Sequence, residues 1–543
     1  MDRILTNGSI YTMDKKLGRV QALGIKDGKI MLVGSNREVL DQKTEDTEVI
    51  DLIGKTVVPG FNDSHLHLLS YGLSKRTVDL NQSKSIREVI GKTKNYIHDH
   101  QLSQEKWVEG RGWDQNLFIE GRMLNRDDLD QISKKYPIML KRTCGQVTTV
   151  NSIALSIIFG DREKQDLLAS KGIEKEEDGT LTGNFRGNAQ EIVYDVIPQL
   201  TVEEIKEGIT GALKDYVSAG LTSVQTNDFE LKKADYQDVL QAYEELDQAG
   251  LLPVKVNLMV CLPQKEDLKN FISKGYQTGK GSSFFRIGPF TLQTDGSLGA
   301  RTAALSQEYT DEPGQYGVLY YDKGDFLDIM EFAWKNGLQL AADGIGDQGI
   351  DLALETFHHL QKNYPKDDPR SCVDHCQITT EELIRKFAEY KVMGGLEVVF
   401  VSSDLHMVEE RIGTRRAKST YNWKEFFNKK IPVAFGSDSP VESFNPLLGI
   451  YAAVTRKDYN GYPEKGWLPE QKLSIEEALY GYTVGPSYAT FEEDEKGRLI
   501  QGQSADLTVL SEDIFTVVSK KIKDISVEWT MVDGVVRFEK EEE

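Results

Sequence analysis

Two histidines separated by one residue end the run VVPGFNDSHLH (57–67). In a β-strand successive side chains alternate between faces, so His65 and His67 project to one side, and both imidazoles can reach one ion at about 2.0–2.1 Å. The apolar VVPGF ahead of them reads as a strand, which places the pair at its C-terminal end. Without an ion, the same residues are two polar side chains in a strand-to-loop turn. The spacing alone does not make a chelate. His98-Asp99-His100 repeats it inside a helical pattern, where residues two apart point about 200° away from each other. These two, and His358-His359 in ALETFHHLQ, read as solvated helix residues.

Three further side chains follow apolar strands in the same way: Asp343 after LQLAA, His375 in SCVDHC and Asp438 in VAFGSDSP. A lone histidine in a strand is ordinarily a satisfied core residue. Facing one mouth together with His65 and His67, however, these residues make a mixed nitrogen and oxygen donor set suited to zinc or another divalent transition metal. Asp438 could also take a proton from a water that such an ion acidifies towards a pKa of ~7.

Positioning five such residues needs a large scaffold, and the chain has 543 residues. About 150 residues per domain implies two to four units, with α/β barrels running longer. Lys and Arg number 65 against 86 Asp and Glu, a net charge of −21. A surface this acidic lacks the basic stripe that phosphate backbones require, which excludes nucleic acid as the expected partner. The four cysteines, Cys144, Cys261, Cys372 and Cys376, are too few for a disulfide framework. MDRILTNGSI has no apolar leader core, and no run of about 18 apolar residues occurs. The expectation is a soluble protein of the reducing cytoplasm.

Nine runs read as strands, each ending in polar residues: 57–67, 137–142, 221–228, 254–261, 285–296, 338–347, 371–376, 396–402 and 431–440. Helical periods lie between most of them. Alternation of this length predicts a (β/α)8 TIM-type barrel. Nine candidates for eight places put one in an insertion, expected within about 69–215. The ends differ: ILTNGSIYTM, ALGIKDGKIMLVG, ADLTVLS and ISVEWTMVDGVVRFE are β-rich with Asp-Gly turns. Neither end supplies a sheet alone, so 1–56 and 490–543 are expected to share one small β-sandwich around a barrel spanning 57–489.

With these motifs assembled, the sequence resembles the amidohydrolase superfamily, and within it the family-3 branch of N-substituted formamide deformylase-like enzymes. The resemblance rests on PGFNDSHLH, GRGWDQNLF, NSIAL, TDGSLGARTAAL, ADGIGD, RSCVDHCQI, ERIGTRRAKSTYNW, GSDSPV and ADLTVL, in order over roughly 500 residues. It implies a metal-dependent barrel hydrolase acting on a carbon–nitrogen bond other than a peptide bond. Against the branch pattern, Thr291 stands where a lysine able to become a bridging carbamate is usual, and Asp343 where a histidine is usual. Gln146, Gly187 and Glu397 replace a histidine, a glutamate and a glutamine. Threonine cannot bridge two metals, so a single ion is expected.

The leading reading is thus a mononuclear hydrolase of a small-molecule amide, formamide or cyclic amide or amidine. One divalent ion, taken as zinc, would be held by His65, His67 and Asp438 with Asp343 or His375. Asp438 and His375 would be catalytic, and Asp295, Arg301, Gln146 and Glu397 would be substrate contacts. Asp295 and Arg301 could equally be a loop-structuring pair. The rival reading is a degenerate barrel that binds a small molecule without turnover. No membrane contact is expected, and a homodimer is the assembly suggested by analogy with other acidic barrels of this size.

Overall fold

Eight parallel strands pair in one sheet in sequence order: β1 (Phe61–Leu66), β2 (Leu221–Thr226), β3 (Lys255–Val260), β4 (Phe285–Gln293), β5 (Leu340–Gly344), β6 (Cys372–His375), β7 (Met393–Leu396) and β8 (Val433–Phe435). This is the expected (β/α)8 barrel. In the computed structural model, which describes residues 1–102, 106–143, 146–160 and 172–541, Cys144 lies outside the described residues. The last strand meets the first just beyond its end. The amides of Ser437 and Asp438 donate to the carbonyl of His65 at 3.2 and 2.8 Å, and the His67 amide donates to Ser439 at 2.8 Å. The helices present apolar stripes to the sheet. In Asp347–Asn363 the buried positions Ile350, Ala353, Leu354, Phe357 and Leu360 recur at helical spacing, while His358 stacks on Tyr390 with ring centroids 4.0 Å apart.

Two expected strands fall elsewhere. Ile138–Arg142 joins a six-stranded sheet outside the barrel, so it is the surplus candidate. The run 396–402 is a correction: the strand is Met393–Leu396, and Val398–Phe400 is a 3-10 turn leading into the short helix Val401–Asp404. Its β-branched residues have strand composition, but space decides the element. A side chain at Gly394 would meet the Phe426 ring at 2.5 Å, and one at Gly395 would meet Asp374 Oδ1 at 1.9 Å. Only the glycine pair lets the strand lie that close to its neighbours.

The expected single strand over 57–67 is divided at Gly60. Thr56–Pro59 pairs with Leu507–Leu510 and Ser9–Tyr11, whereas β1 pairs with β2. A Cβ at Gly60 would lie 2.2 Å from the Thr222 side chain, so the chain can cross between the two sheets only there. Thr56–Pro59 belongs to a six-stranded sheet ordered Val535–Glu539, Val527–Val532, Leu507–Leu510, Thr56–Pro59, Ser9–Tyr11, Arg19–Val20. A four-stranded sheet runs Lys29–Gly34, Ala22–Lys26, Arg3–Thr6, Glu48–Asp51. Leu5, Ile10, Leu23, Ile30, Val57, Leu507, Val509 and Met531 from both chain ends share one apolar cluster. The buried Lys255 of β3 ties this layer to the barrel through Asp506 (2.8 Å) and Asp533 (2.7 Å).

Gly72–Thr201 and Lys232–Asp235 form a second compact unit, shorter than the expected 69–215 because the helix Val202–Ser218 belongs to the barrel. It has its own core, including Val78, Leu80, Val89, Val108, Trp113 and Leu140. Among the described residues no helix is long and apolar enough to cross a membrane.

Because Val527–Val532 and Val535–Glu539 are two of the six strands in their sheet, removing residues 525–543 exposes the hydrogen-bonding edge of Leu507–Leu510. Burial of Val527, Met531 and Val532 stabilises the fold by roughly 1.5–3 kcal/mol per side chain. The truncated protein is expected to melt well below the full chain by scanning calorimetry. An unchanged midpoint would show that the C-terminal strands are dispensable.

Candidate metal centre

The side chains anticipated at strand ends converge on one cavity of about 550 Å³, lined by His65, His67, Asp343, His375 and Asp438 among others. This is the C-terminal mouth of the barrel, where βα-loops build barrel active sites. Two overlapping donor triads form there, His65 with His67 and Asp438, and His65 with Asp343 and His375, each with its donor atoms within 4.8 Å of one another. His65 is common to both. His67 Nδ1 donates to the carbonyl of Asn227 at 2.8 Å, which leaves Nε2 facing Asp438 Oδ1 at 3.0 Å. His65 Nε2 lies 3.9 Å from the same oxygen and its Nδ1 3.7 Å from Asp374 Oδ2.

Local backbone geometry aims these groups. His375 and Asp438 both adopt left-handed conformations, φ 70° and 56°, a strained state for residues with a Cβ that recurs at functional sites. Gly436 leaves room for the first strand, since a Cβ there would sit 2.9 Å from the backbone of His65. Asp63 Oδ1 accepts from the amides of His65 (3.2 Å) and Ser437 (3.1 Å), pinning the two ligand-bearing segments together.

Charge and burial make this cluster short of a cation. Burial, the largest influence on each ring, opposes protonation, yet the carboxylates prevail. Asp343, Asp374 and Asp438 hold His65 well above its ordinary pKa. Asp438 raises His67 to about 9, and Glu397 with Asp438 raises His375 to about 10. Burial pushes Asp343 up to about 7. Burial pushes Asp438 the same way, but its hydrogen bond with His67 and the charges of His375 and His65 keep it below its ordinary value. Hydrogen bonding is equally incomplete. Both His65 nitrogens, His375 Nδ1, Asp374 Oδ2 and both Glu397 oxygens are buried without partners, although His375 Nδ1 stands 3.0 Å from Glu397 Oε2 out of hydrogen-bond alignment. Unsatisfied buried groups cost roughly 1–3 kcal/mol each, more if charged. A divalent cation among the imidazoles and carboxylates answers both deficits, so the residues fit such an ion.

The other anticipated residues lie in different roles. Asp295 lines the cavity, but its carboxylate accepts from the amides of Ile345 (3.0 Å), Gly346 (2.7 Å) and Ala304 (2.8 Å), which fixes two loops. Arg301 is bound to Asp311 at 2.7 Å; the two loop residues are therefore both structuring but do not pair with each other. Glu397 stands behind His375, and Gln146 belongs to the second unit, where it lines a cavity with Arg142 and Arg186. Thr291 is fully buried and donates to Asp343 Oδ1 at 3.4 Å. Sequence reasoning missed Asp374, Asn227 and Asp63. Asp374 and Asp63 sit in the very runs SCVDHC and FNDSHLH, one and two residues from a ligand, but only the folded backbone shows that they serve histidines.

A histidine-carboxylate centre at the mouth of a parallel (β/α)8 barrel is the design of metal-dependent hydrolases. The chain belongs to the amidohydrolase family, whose model matches residues 48–538, in agreement with the resemblance carried by its motifs. It is 30% identical to the candidate amidohydrolase YtcJ of Bacillus subtilis (strain 168), over 99% of this chain and all of that one. It is 24% identical to the N-substituted formamide deformylase of Arthrobacter pascens, over 99% of this chain and 98% of that one. An uncharacterized metal-dependent hydrolase from Pyrococcus furiosus superposes with a TM-score of 0.80 at 30% identity, covering 95% of this chain and 100% of that one.

Two outcomes follow from the ligand geometry. At pH 8 the His67 and His375 rings lie below their values of about 9 and about 10 and so carry protons without metal. An ion requires its histidine ligands neutral, so zinc binding at pH 8 releases the proton of His67, and that of His375 where this ring is the remaining ligand, and the release fades as pH rises past those values. Titration calorimetry in buffers of different ionisation enthalpy reads this directly, and a buffer-independent heat would contradict the protonated rings. Asp343→His removes one negative charge and supplies a softer donor, so zinc affinity, measured by competition with a chelator, is expected to rise. No change would remove Asp343 from the ligand set.

Proposed function

We propose that this protein hydrolyses a small-molecule carbon–nitrogen bond other than a peptide bond, an amide, formamide or cyclic amide or amidine, with one zinc ion. The observation that carries the reading is the pair of triads sharing His65 at the barrel mouth. Full-length similarity to a formamide deformylase supports the substrate class. His65, His67 and Asp438, with Asp343 or His375, would hold the ion. When bound, it would supply Lewis acidity, lowering the pKa of water and polarising the scissile carbonyl. One ion is expected because Thr291 has no amine to carry a bridging carbamate.

The chain's own groups divide the remaining work. Asp438, kept ionised by His67 and His375, accepts the proton of the attacking water and returns it to the leaving nitrogen. His67 cannot take that proton at Nδ1, which the Asn227 carbonyl occupies. His375, backed by Glu397, presents Nε2 to the cavity and stabilises negative charge on the former carbonyl oxygen. The backbone amides that Asp295 holds keep the adjoining loops in place around the substrate. Buried free thiols at Cys261, Cys372 and Cys376 suit the reducing cytoplasm in which we place the enzyme.

Binding without turnover is the competing reading, favoured by Thr291 and Asp343 at positions where the branch differs. Elemental analysis of protein purified without chelator, followed by assay against N-substituted formamides, amides and cyclic amidines, separates the two. The expected result is about one tightly held ion per chain, release of amine from one class, and an Asp438→Asn variant slowed by about 10²–10⁴-fold. A chain that takes up no metal, or turns over none of these classes, would favour the binding protein.

A further inference from the structure

The cavity mouth holds an acid that the chemistry above does not use. Asp404, at the end of the helix Val401–Asp404, lines the cavity and is only 9% exposed. Its side-chain hydrogen bonds all fall on one carboxylate oxygen. Oδ2 accepts from Tyr421 Oη at 2.5 Å and from Gln377 Nε2 at 3.5 Å, whereas Oδ1 has no protein donor among the described residues. The side chain is held firmly in this pose. The Tyr421 amide donates to the Gln377 carbonyl at 2.8 Å, and the Tyr421 carbonyl accepts at 3.0 Å from the buried guanidinium of Arg456, itself set against the rings of Trp423 and Trp467. Burial pushes the Asp404 carboxyl up to about 6, so it is charged at neutral pH and poorly compensated.

The rest of the wall gives that charge no partner. Among the described residues no lysine or arginine lines the cavity, and Arg301, on the loop that forms one side, is bound to Asp311. A divalent ion would be largely neutralised by Asp343 and Asp438, leaving Asp404 unanswered. Phe400, Leu298 and Met407 add apolar surface beside it. A substrate carboxylate would meet like charge without a counter-ion, whereas a cationic nitrogen would find an oriented acceptor beside a carbon chain's worth of apolar wall.

We infer that Asp404 is a specificity-determining residue, and that ligands of this site carry, beyond the scissile bond, a cationic nitrogen group such as guanidinium or alkylammonium that docks on Asp404 Oδ1. The inference rests on the hydrolase reading for the reacting end of the ligand, but its recognition step can be measured alone. The probes are n-butylguanidinium and its neutral isostere n-butylurea, titrated calorimetrically into the zinc-loaded full chain. Guanidinium does not coordinate zinc, so its binding reports the acid and not the ion.

The guanidinium is expected to bind about tenfold more tightly than the urea, as a charge-assisted hydrogen bond implies. Asp404→Asn, which keeps an acceptor for Tyr421, should abolish the difference, and Asp404→Glu should restore part of it. Tyr421→Phe, which removes a support but no charge, should preserve it. In turnover, N-formyl alkylamines ending in ammonium should show a lower KM than those ending in methyl, and far lower than those ending in carboxylate, with the advantage lost in Asp404→Asn. Equal binding of the two probes by the wild type, or a preference that survives Asp404→Asn, overturns the inference; the wild-type comparison decides even if the variant folds poorly. Hydrolysis with no preference for the ammonium substrates likewise refutes it while leaving the hydrolase standing. A guanidinium preference without hydrolysis of any substrate supports the recognition site and refutes the hydrolase reading.

Discussion

The structure depends on the seam where the barrel closes. The backbone of His65 accepts hydrogen bonds from Ser437 and Asp438, and His67 donates to Ser439, so the contacts that join the last strand to the first also set the spacing of three candidate ligands. Asp63 bridges the same two segments through both backbones. Gly436 is required because any side chain there would collide with His65. Fold closure and site assembly are therefore one event: a shift in register at this seam would separate the imidazoles from Asp438 and leave the sheet open.

The second constraint is electrostatic. His65, His375 and four acids, Asp343, Asp374, Asp438 and Glu397, are buried, with the half-buried His67 beside them. Without a cation the balance falls to protons, as the raised values of His67, His375 and Asp343 express. Several of their polar atoms still find no partner. Such a cluster stores the cost of its own burial, which a bound divalent ion offsets. Of the acceptors behind the rings only the Asn227 carbonyl makes a hydrogen bond, to His67; Asp374 stands 3.7 Å behind His65 and Glu397 3.0 Å behind His375, where they act through charge.

Strain and close approach complete the site in the loops. The left-handed backbones of His375 and Asp438 turn their side chains inward immediately after a strand ends. The glycine pair in β7 brings that strand against Asp374, which in turn reaches His65. A short strand built of small residues thus places an acid that a bulkier strand would displace.

The candidate ligands were legible in the sequence because a strand has a period of two and barrel strands end at one mouth; those two facts bring His65, His67, Asp343, His375 and Asp438 to one place. The alternation of strand and helix periods likewise foretold a parallel barrel. What it could not resolve was where backbone crowding overrides propensity. VVF at 398–400 looks like strand and turns as a helix, because the strand position belongs to the glycines before it. The run 57–67 looks continuous and divides at Gly60, because Thr222 leaves no room for a side chain there. The roles of Asp63, Asp374, Asn227 and Glu397, and the orphaned oxygen of Asp404, arise from contacts between residues distant in the chain. Periodicity reports which way a side chain faces relative to its own strand, so the barrel and the candidate ligands at its mouth could be read from local pattern. Which group stands behind each candidate ligand depends on the separation of different strands, a distance that no local pattern encodes and that packing alone fixes.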